Sequence, residues 1–479
     1  MNPDTLAVSH ERHAGPRTSP PRRIAVVGGG FCGAALAVHL TRRLHGEAEV
    51  VLYEPATDVG RGVAFGTDRP EHRLNVPADA MSIDPAAPHD FIEFAASRGV
   101  VLAPTDLAPR PLYGDYVHAR YQAAVAAQPQ RVRHLRARAT ALAPVASGRW
   151  RVTASDGATE DVDEVVLATG HGPTKVPAPF AGVAAHPALV ADPWADVGAW
   201  ARPVDGRVLV VGTGLSGIDV LASLREAGVA GPIHATSRGG HWPRAHLPGL
   251  RWPGPARVLD IERAPRTVHA LQDWLEGHIA AAVMDGVPWQ AVFDALRPHI
   301  ASLWQRLPSA ERTLFLTELR PQWEIHRHRT ERSAAERIRS WRDEGWLVTH
   351  AAGIGAVTAR GDALEVTLSG RGGAWVGRFA RVVLACGHES DPRRFRDPLW
   401  AQLLDEGWAV ADRDGLGVLT DAAGALGART RRPGGLWAVG GLLRPMWFDT
   451  TAVPDLSRQV SRLADVLAAR AHAAVETVR

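Results

Sequence analysis

The residues most capable of chemistry lie in a glycine run, Gly28-Gly29-Gly30-Phe31-Cys32-Gly33, with Glu54 standing 21 residues beyond Gly33. Glycine at the first position of such a run permits a tight turn. At the third it lets backbone approach a pyrophosphate, and at the sixth it lets a helix pack close to a strand. A helix beginning here aims N–H donors and its positive end at phosphate, and a carboxylate at the end of the next strand accepts from ribose hydroxyls. Gly28, Gly30, Gly33 and Glu54 therefore read as a site for FAD. The pattern recurs as Gly212-Thr213-Gly214-Leu215-Ser216-Gly217. Here Ser237 and Arg238 fall 20 and 21 residues past Gly217, and no acid does. A carboxylate would repel a ribose 2′-phosphate, whereas a hydroxyl and a guanidinium bind it, so Gly212, Gly214, Ser216, Gly217, Ser237 and Arg238 read as a site for NADPH. The alternative for Arg238 is a solvated surface arginine.

Two dinucleotide sites imply a relay in which NADPH reduces FAD and the reduced flavin acts on something else. The two should meet at the carboxyl ends of two sheets. Candidates for that crevice are Asn75, Met81 and Ser82, together with His171 and His388, each of which follows a strand-Gly ending. For either histidine the alternative is a capping or packing residue. Arg327 and Arg329 sit in Trp323–Arg329 and would clamp an anionic group, or else form a solvated basic face. The catalytic candidates are thus Asn75, His171, Arg327 and His388. No metal-ligand spacing appears.

The elements that must position these residues follow from periodicity. Arg23–Val27, the first glycine turn, Ala34–Leu44 and Glu49–Tyr53 spell strand, turn, helix, strand. Arg207–Val211, the second turn, Ile218–Ala227 and Pro232–Thr236 spell it again. Residues 60–85 carry few periodic apolar positions and form a long loop, and residues 265–345 are mostly helical. The expected fold is α/β, with two Rossmann-like βαβ domains, the second inserted in the first, and a helical insert. The boundaries fall at 1–21 for a disordered tail, 22–200 for the first part of the FAD domain, 201–375 for the NADP domain with its insert at 255–345, and 376–479 for the second part of the FAD domain.

Composition narrows the function classes. The 479 residues carry a net charge of +3, with 46% hydrophobic and 22% charged residues, which is ordinary for globular domains. The basic residues are arginines apart from Lys175, and they are dispersed, which argues against a nucleic-acid surface. Cys32 and Cys386 are the only cysteines, so the adjacent redox pair of a disulfide reductase is missing. No apolar stretch is long enough for a membrane span, and residues 1–21 lack the apolar segment of a signal peptide, so a cytoplasmic location is expected.

Several segments resemble a known family. Gly62-Val63-Ala64-Phe65-Gly66, Leu74-Asn75-Val76-Pro77-Ala78 and Met81-Ser82 are similar to the FAD/NAD(P)-binding proteins typified by YdhS. So are Pro109-Arg110 with Tyr113-Gly114-Asp115-Tyr116, Pro243-Arg244-Ala245-His246, His326-Arg327-His328-Arg329, and Thr450-Thr451-Ala452-Val453-Pro454 with Arg458-Gln459. The resemblance covers roughly residues 22–470. It implies that Arg110, Thr451 and Val453 join Asn75, Met81 and Ser82 at the flavin. It also implies a distant relation to class B and N-hydroxylating flavin monooxygenases. Many two-dinucleotide flavoproteins end their last FAD strand in Gly-Asp; here Gly440-Gly441 stands in that place, leaving backbone N–H groups alone as contacts.

The expectation is an NADPH-dependent monooxygenase that uses O2 to oxygenate a small soft nucleophile such as an amine nitrogen. A dehydrogenase or reductase without oxygen insertion remains open, as does a non-catalytic flavin redox sensor. The partners are a small-molecule substrate and O2, with no nucleic acid and no membrane, and homo-oligomerisation is left open.

Overall fold

Valine- and isoleucine-rich runs without polar alternation need cover on both faces, and the chain supplies it with helices. The computed structural model describes residues 21–44, 46–145, 148–247, 259–427 and 434–476. Residues 1–20 of the expected tail and the first residues of the expected insert, 255–258, lie outside these.

In chain order the first strands are β1 (Arg22–Val27), β2 (Ala48–Tyr53), β3 (Val132–Leu135), β4 (Ala139–Pro144), β5 (Trp150–Ala154), β6 (Thr159–Val162) and β7 (Glu164–Leu167). Then come β8 (Leu189–Val190), β9 (Val208–Val211), β10 (Ile233–Ser237), β11 (Leu347–Arg360), β12 (Ala363–Gly370), β13 (Gly373–Phe379), β14 (Arg381–Leu384) and β15 (Leu436–Ala438). One sheet has the order β15-β7-β1-β2-β3, parallel throughout. The other has the order β13-β12-β11-β10-β9-β14-β8, parallel from β8 to β11 and antiparallel beyond. A separate meander, β4-β5-β6, links β3 to β7. Both large sheets thus share a core: a central strand before the glycine turn, flanked by the next strand of its βαβ unit on one side and a later strand on the other. The α/β expectation with two dinucleotide-type domains holds.

Helix Phe31–Arg43 carries Gly33, Ala34, Ala35 and Ala37 at buried positions, and these small residues let it lie close on β1. It packs against helices Arg110–Ala127 and Val453–Glu476. On the second sheet, helix Arg332–Asp343 buries Ala334, Ile338 and Trp341, an apolar stripe at helical spacing. Between β10 and β11 the chain makes helices Val268–Met284, Trp289–Leu296, Ile300–Arg306, Ser309–Leu314 and Arg320–Arg327 before that one. A π-helical turn spans Phe315–Leu319.

The domain limits expected at 200/201 and 375/376 need correction. β8 and β14 both pair within the second sheet, so the chain leaves the first sheet after Leu167 and returns after Leu384. Short parallel strands such as Leu189–Val190 have no stable existence off a sheet, so hydrogen bonding rather than composition sets the boundary. The two strand-Gly-His endings mark both crossings.

A Cβ at Gly33 would overlap the Gly28 carbonyl oxygen, whereas one at Gly30 would meet only the Gly62 Cα, 3.8 Å away. Gly33→Ala should therefore lower the melting temperature, with a cost of about 1–3 kcal/mol from overpacking, although alanine is the better helix former. Gly30→Ala should leave the melting temperature of the cofactor-free protein close to wild type. Thermal unfolding of both variants checks the pair, and equal behaviour would contradict the packing argument.

Candidate functional site

The two glycine turns sit on the neighbouring strand ends. Gly28, at φ +102°, lies where a Cβ would come 2.5 Å from the Ala168 carbonyl oxygen at the end of β7. Gly212, at φ +120°, stands in the same relation to Ala385 at the end of β14. Each turn thus lies over the point where its strand order reverses, the crevice in which parallel sheets bind ligands.

At the first turn, Gly30 caps helix Phe31–Arg43 with no side-chain hydrogen bond, so the first N–H groups of the helix remain for an anion. Glu54 accepts from the Gly29 N–H at 2.8 Å and from the Ala56 N–H at 2.9 Å. Each carboxylate oxygen keeps a further acceptor site. Gly62, at φ +51°, faces Gly30 across a gap that side chains at both positions would close. Met81 and Ser82 are buried. The Ser82 hydroxyl donates to the Asp84 carbonyl, and the Ser82 carbonyl accepts from Ser457 at 2.8 Å, which fixes the loop to the last helix. Gln459, quoted in the resemblance but not singled out as a site residue, links this region: its Oε1 accepts the Gly440 N–H at 2.6 Å and its Nε2 donates to Thr450 at 3.2 Å. Thr451 is exposed beside buried Val453. This arrangement fits a dinucleotide.

At the second turn, Gly214 caps helix Leu215–Glu226, again with no side-chain bond, and a Cβ there would meet nothing within 4 Å. Ser216 lies in the first turn of that helix, and Gly217 packs against the Gly212 carbonyl. The Ser237 hydroxyl donates to Thr213 at 2.6 Å and accepts from the Gly240 N–H at 3.1 Å, so it shapes the loop. Arg238 is exposed, and no carboxylate among the described residues pairs with it.

The two crossings run antiparallel against each other. The Gly172 N–H donates to the Glu389 carbonyl, the Glu389 N–H to the Pro173 carbonyl and the Lys175 N–H to the Gly387 carbonyl, at 2.8–2.9 Å. His171 and His388 consequently stack, with centroids 6.0 Å apart and planes 10° from parallel. A Cβ at Gly441 would overlap the His171 ring. The imidazole thus occupies the space into which the side chain of a Gly-Asp ending would start, which accounts for Gly440-Gly441. His171 reaches solvent within the crevice but is ringed by protein. That burial, then His388, Arg444 and Lys175, pushes its pKa down to about 4. Burial also lowers His388. Both rings are neutral at physiological pH.

Asn75 lies apart from this pair, in a small gap between the domains lined also by Arg110, Leu215, Asp219 and Arg337. Its carbonyl accepts from His246 Nε2 at 2.9 Å. Arg110, expected at the flavin, is committed elsewhere: its guanidinium pairs with Asp219 at 2.8 Å and donates to the Arg73 carbonyl. Burial raises the Asp219 carboxyl to about 6 despite Arg110. His72 bonds Ser223 of the second domain at 2.8 Å. The interdomain contact is therefore polar and buried. Asp219, His72 and Ser223 carried no sequence motif.

Arg327, expected as an anion clamp or catalytic group, is buried and paired with Asp449 at 2.5 Å. Arg329 is buried and paired with Asp294. A desolvated guanidinium needs a carboxylate, so neither is a free cation for a ligand. The four catalytic candidates form no single constellation: His171 and His388 meet, Asn75 stands at the domain gap, and Arg327 anchors the insert. Burial pushes both Cys32 and Cys386 up to about 12, so neither is a thiolate. Among the described residues no cluster could hold a metal ion, and no helix is long and apolar enough to cross a membrane.

Residues 25–172 match a family model described as FAD-NAD(P)-binding. No curated protein sequence matches this chain. Among solved structures, the chain is similar to L-lysine 6-monooxygenase from Pseudomonas syringae, at 18% identity and TM-score 0.65 over 94% of this chain and 100% of that one. It is similar to the ornithine N-hydroxylase of Kutzneria sp. 744, solved with reduced FAD, NADP+ and L-ornithine, at 16% identity and TM-score 0.60 over 94% and 100%. It is also similar to a bacillithiol disulfide reductase from Bacillus cereus, at 14% identity and TM-score 0.53 over 94% and 100%. At these identities the likeness is one of fold, and that fold serves more than one chemistry.

Acid should loosen the domain contact. Burial first, then Arg110, lowers His72 from 6.5 to about 4, so the unfolded ring takes a proton that the folded ring refuses. The stability His72 contributes is intact above pH 6.5 and falls as pH drops toward 4, at up to about 1.4 kcal/mol per pH unit. His72→Gln should flatten the slope of unfolding free energy against pH by up to one proton in that window. An unchanged slope would mean that the ring is not buried as described.

Proposed function

We propose that this chain is an FAD-dependent, NADPH-using monooxygenase that oxygenates a small soft nucleophile, with an amine nitrogen as the preferred acceptor. The observation that carries the reading is the pairing of two open glycine cradles, one with Glu54 at its strand end and the other with exposed Arg238, locked at a fixed relation by the crossing segments. The match of residues 25–172 to an FAD-NAD(P)-binding model supports the first cradle as the flavin site. The fold shared with a lysine and an ornithine N-hydroxylating enzyme supports the reaction class.

FAD, when bound, would supply the redox chemistry that takes hydride from NADPH and directs one atom of O2 to a nucleophile while the other leaves as water. The chain's own residues bind, orient and exclude water. Glu54 holds the adenosine ribose, and the start of helix Phe31–Arg43 holds phosphate. Gln459 fixes the Gly440 N–H and the Thr450 hydroxyl, which would face bound flavin. Neutral His171, packed on Gly441 and His388, closes the crevice without adding a cation. Buried, protonated thiols argue against electron transfer to a cysteine pair.

A guanidinium–phosphate contact is worth roughly 1.5–3 kcal/mol, so Arg238→Ala should raise the KM for NADPH about 10- to 100-fold and leave that for NADH nearly unchanged. Equal losses with both nucleotides would make Arg238 structural. The reaction class is tested by isotope. Turnover of FAD-loaded enzyme with NADPH, labelled O2 and a panel of amines should place one labelled oxygen atom in a product for each NADPH consumed. Nucleotide oxidation stimulated by an acceptor, with no label in any product, would replace the oxygenase with a reductase. No stimulation by any compound would leave the sensor.

A further inference from the structure

The helical insert contains a cavity that the reading above does not use. It measures about 360 Å³ and lies among helices Val268–Met284, Trp289–Leu296 and Ile300–Arg306 and the turn at Phe315–Leu319. That size suits a small molecule bearing fused rings. Its walls include Trp274, Phe293, Trp304, Phe315, Trp323 and Phe448. Trp304 stacks on Phe448, with centroids 4.4 Å apart, and Phe315 meets the Phe448 edge at 5.3 Å. The Trp304 indole N–H is satisfied by the Pro445 carbonyl at 3.0 Å, so its ring is free to act as an apolar wall.

Two local distortions build this wall. The π-helical turn carries Phe315 and Leu319, and such turns are rare and concentrate at functional sites. Phe448 has φ +52°, a left-handed conformation that a bulky residue adopts only where its surroundings force it. The surroundings are visible: Asp449 is held by buried Arg327, and Thr450 by Gln459, which also holds Gly440. Residues 440–450, one continuous segment, therefore run from the proposed flavin turn to the floor of the cavity.

The charge of the lining selects further. Glu276, bonded by Gln272 at 2.8 Å, lines the cavity with His326, whereas no arginine or lysine among the described residues does. A carboxylate ligand would find no permanent counter-ion among these residues, a cationic one would find Glu276, and a neutral one needs none. We propose that this cavity receives the ring-bearing apolar body of the substrate, and that the substrate is an aromatic amine-bearing compound rather than a polar diamine or an amino acid. The word substrate rests on the oxygenase reading; the binding site does not.

The test is calorimetric titration of FAD-loaded protein, without NADPH, using tryptamine, indolepropionate and putrescine as probes. Tryptamine should bind at one site per chain, with the other two weaker. Leu275→Trp and Leu271→Trp, which fill the cavity from a half-exposed helix face, should each weaken tryptamine about tenfold or more while flavin content and melting temperature hold. If only one variant folds, it decides alone. Glu276→Gln should narrow the preference for tryptamine over indolepropionate. No tryptamine binding, or binding untouched by the filling variants, overturns the proposal. Tryptamine that binds in the cavity while neither it nor any other amine takes label from O2 leaves the site standing and removes the oxygenase. Label entering putrescine while tryptamine fails to bind does the reverse.

Discussion

Three backbone hydrogen bonds between the two crossing segments set the relation on which both cradles depend. Each segment continues a strand whose last carbonyl packs against a glycine turn, Ala168 on Gly28 and Ala385 on Gly212. Pairing residues 172–175 with residues 387–389 therefore fixes the ends of β7 and β14, and through them the two helix starts that would hold phosphate. A side chain on either turn glycine would push turn and strand apart. Close approach, possible only without a Cβ, is what turns two independent βαβ units into a two-site arrangement.

Charge is handled by commitment. Arg110 pairs with Asp219, Arg327 with Asp449 and Arg329 with Asp294, and the last two are buried enough that losing the carboxylate would strand a cation. Desolvation by the surrounding protein lowers both crevice histidines, although the His171 ring still reaches solvent. What stays open is backbone N–H at the two helix starts and the exposed Arg238. A site of this kind binds and positions, and leaves redox chemistry to what it holds. The polar domain contact places His72 and Asp219 across the same two elements that bracket the gap near Asn75.

The insert answers a different demand. Its aromatic residues pack against one another only along the wall, so apolar surface remains around a cavity. Two backbone distortions, at Phe315–Leu319 and at Phe448, persist in that wall. Such features survive where neighbouring contacts over-determine them, and here the neighbours are the buried Arg327–Asp449 pair and the Gln459 bridge.

The sequence by itself determined the two glycine turns and the doubled βαβ order, and it placed Glu54 and Arg238 just past the second strand of each unit, because each rests on local backbone rules that act within about 30 residues. It also exposed the repeated strand-Gly-His endings. It could not decide domain limits: β8 is two residues long, and only its pairing with β14 assigns it to the second sheet. It could not foresee the partners of Arg110 and Arg327, because a guanidinium in a motif looks the same whether it awaits a phosphate or already holds a carboxylate more than a hundred residues away. Asp219 and Asp449 became their partners only through long-range packing. The same holds for His171, whose contact with Gly441 explains a departure that the sequence could only register. Local chemistry is written in spacing; burial, pairing and empty space are properties of the assembled chain.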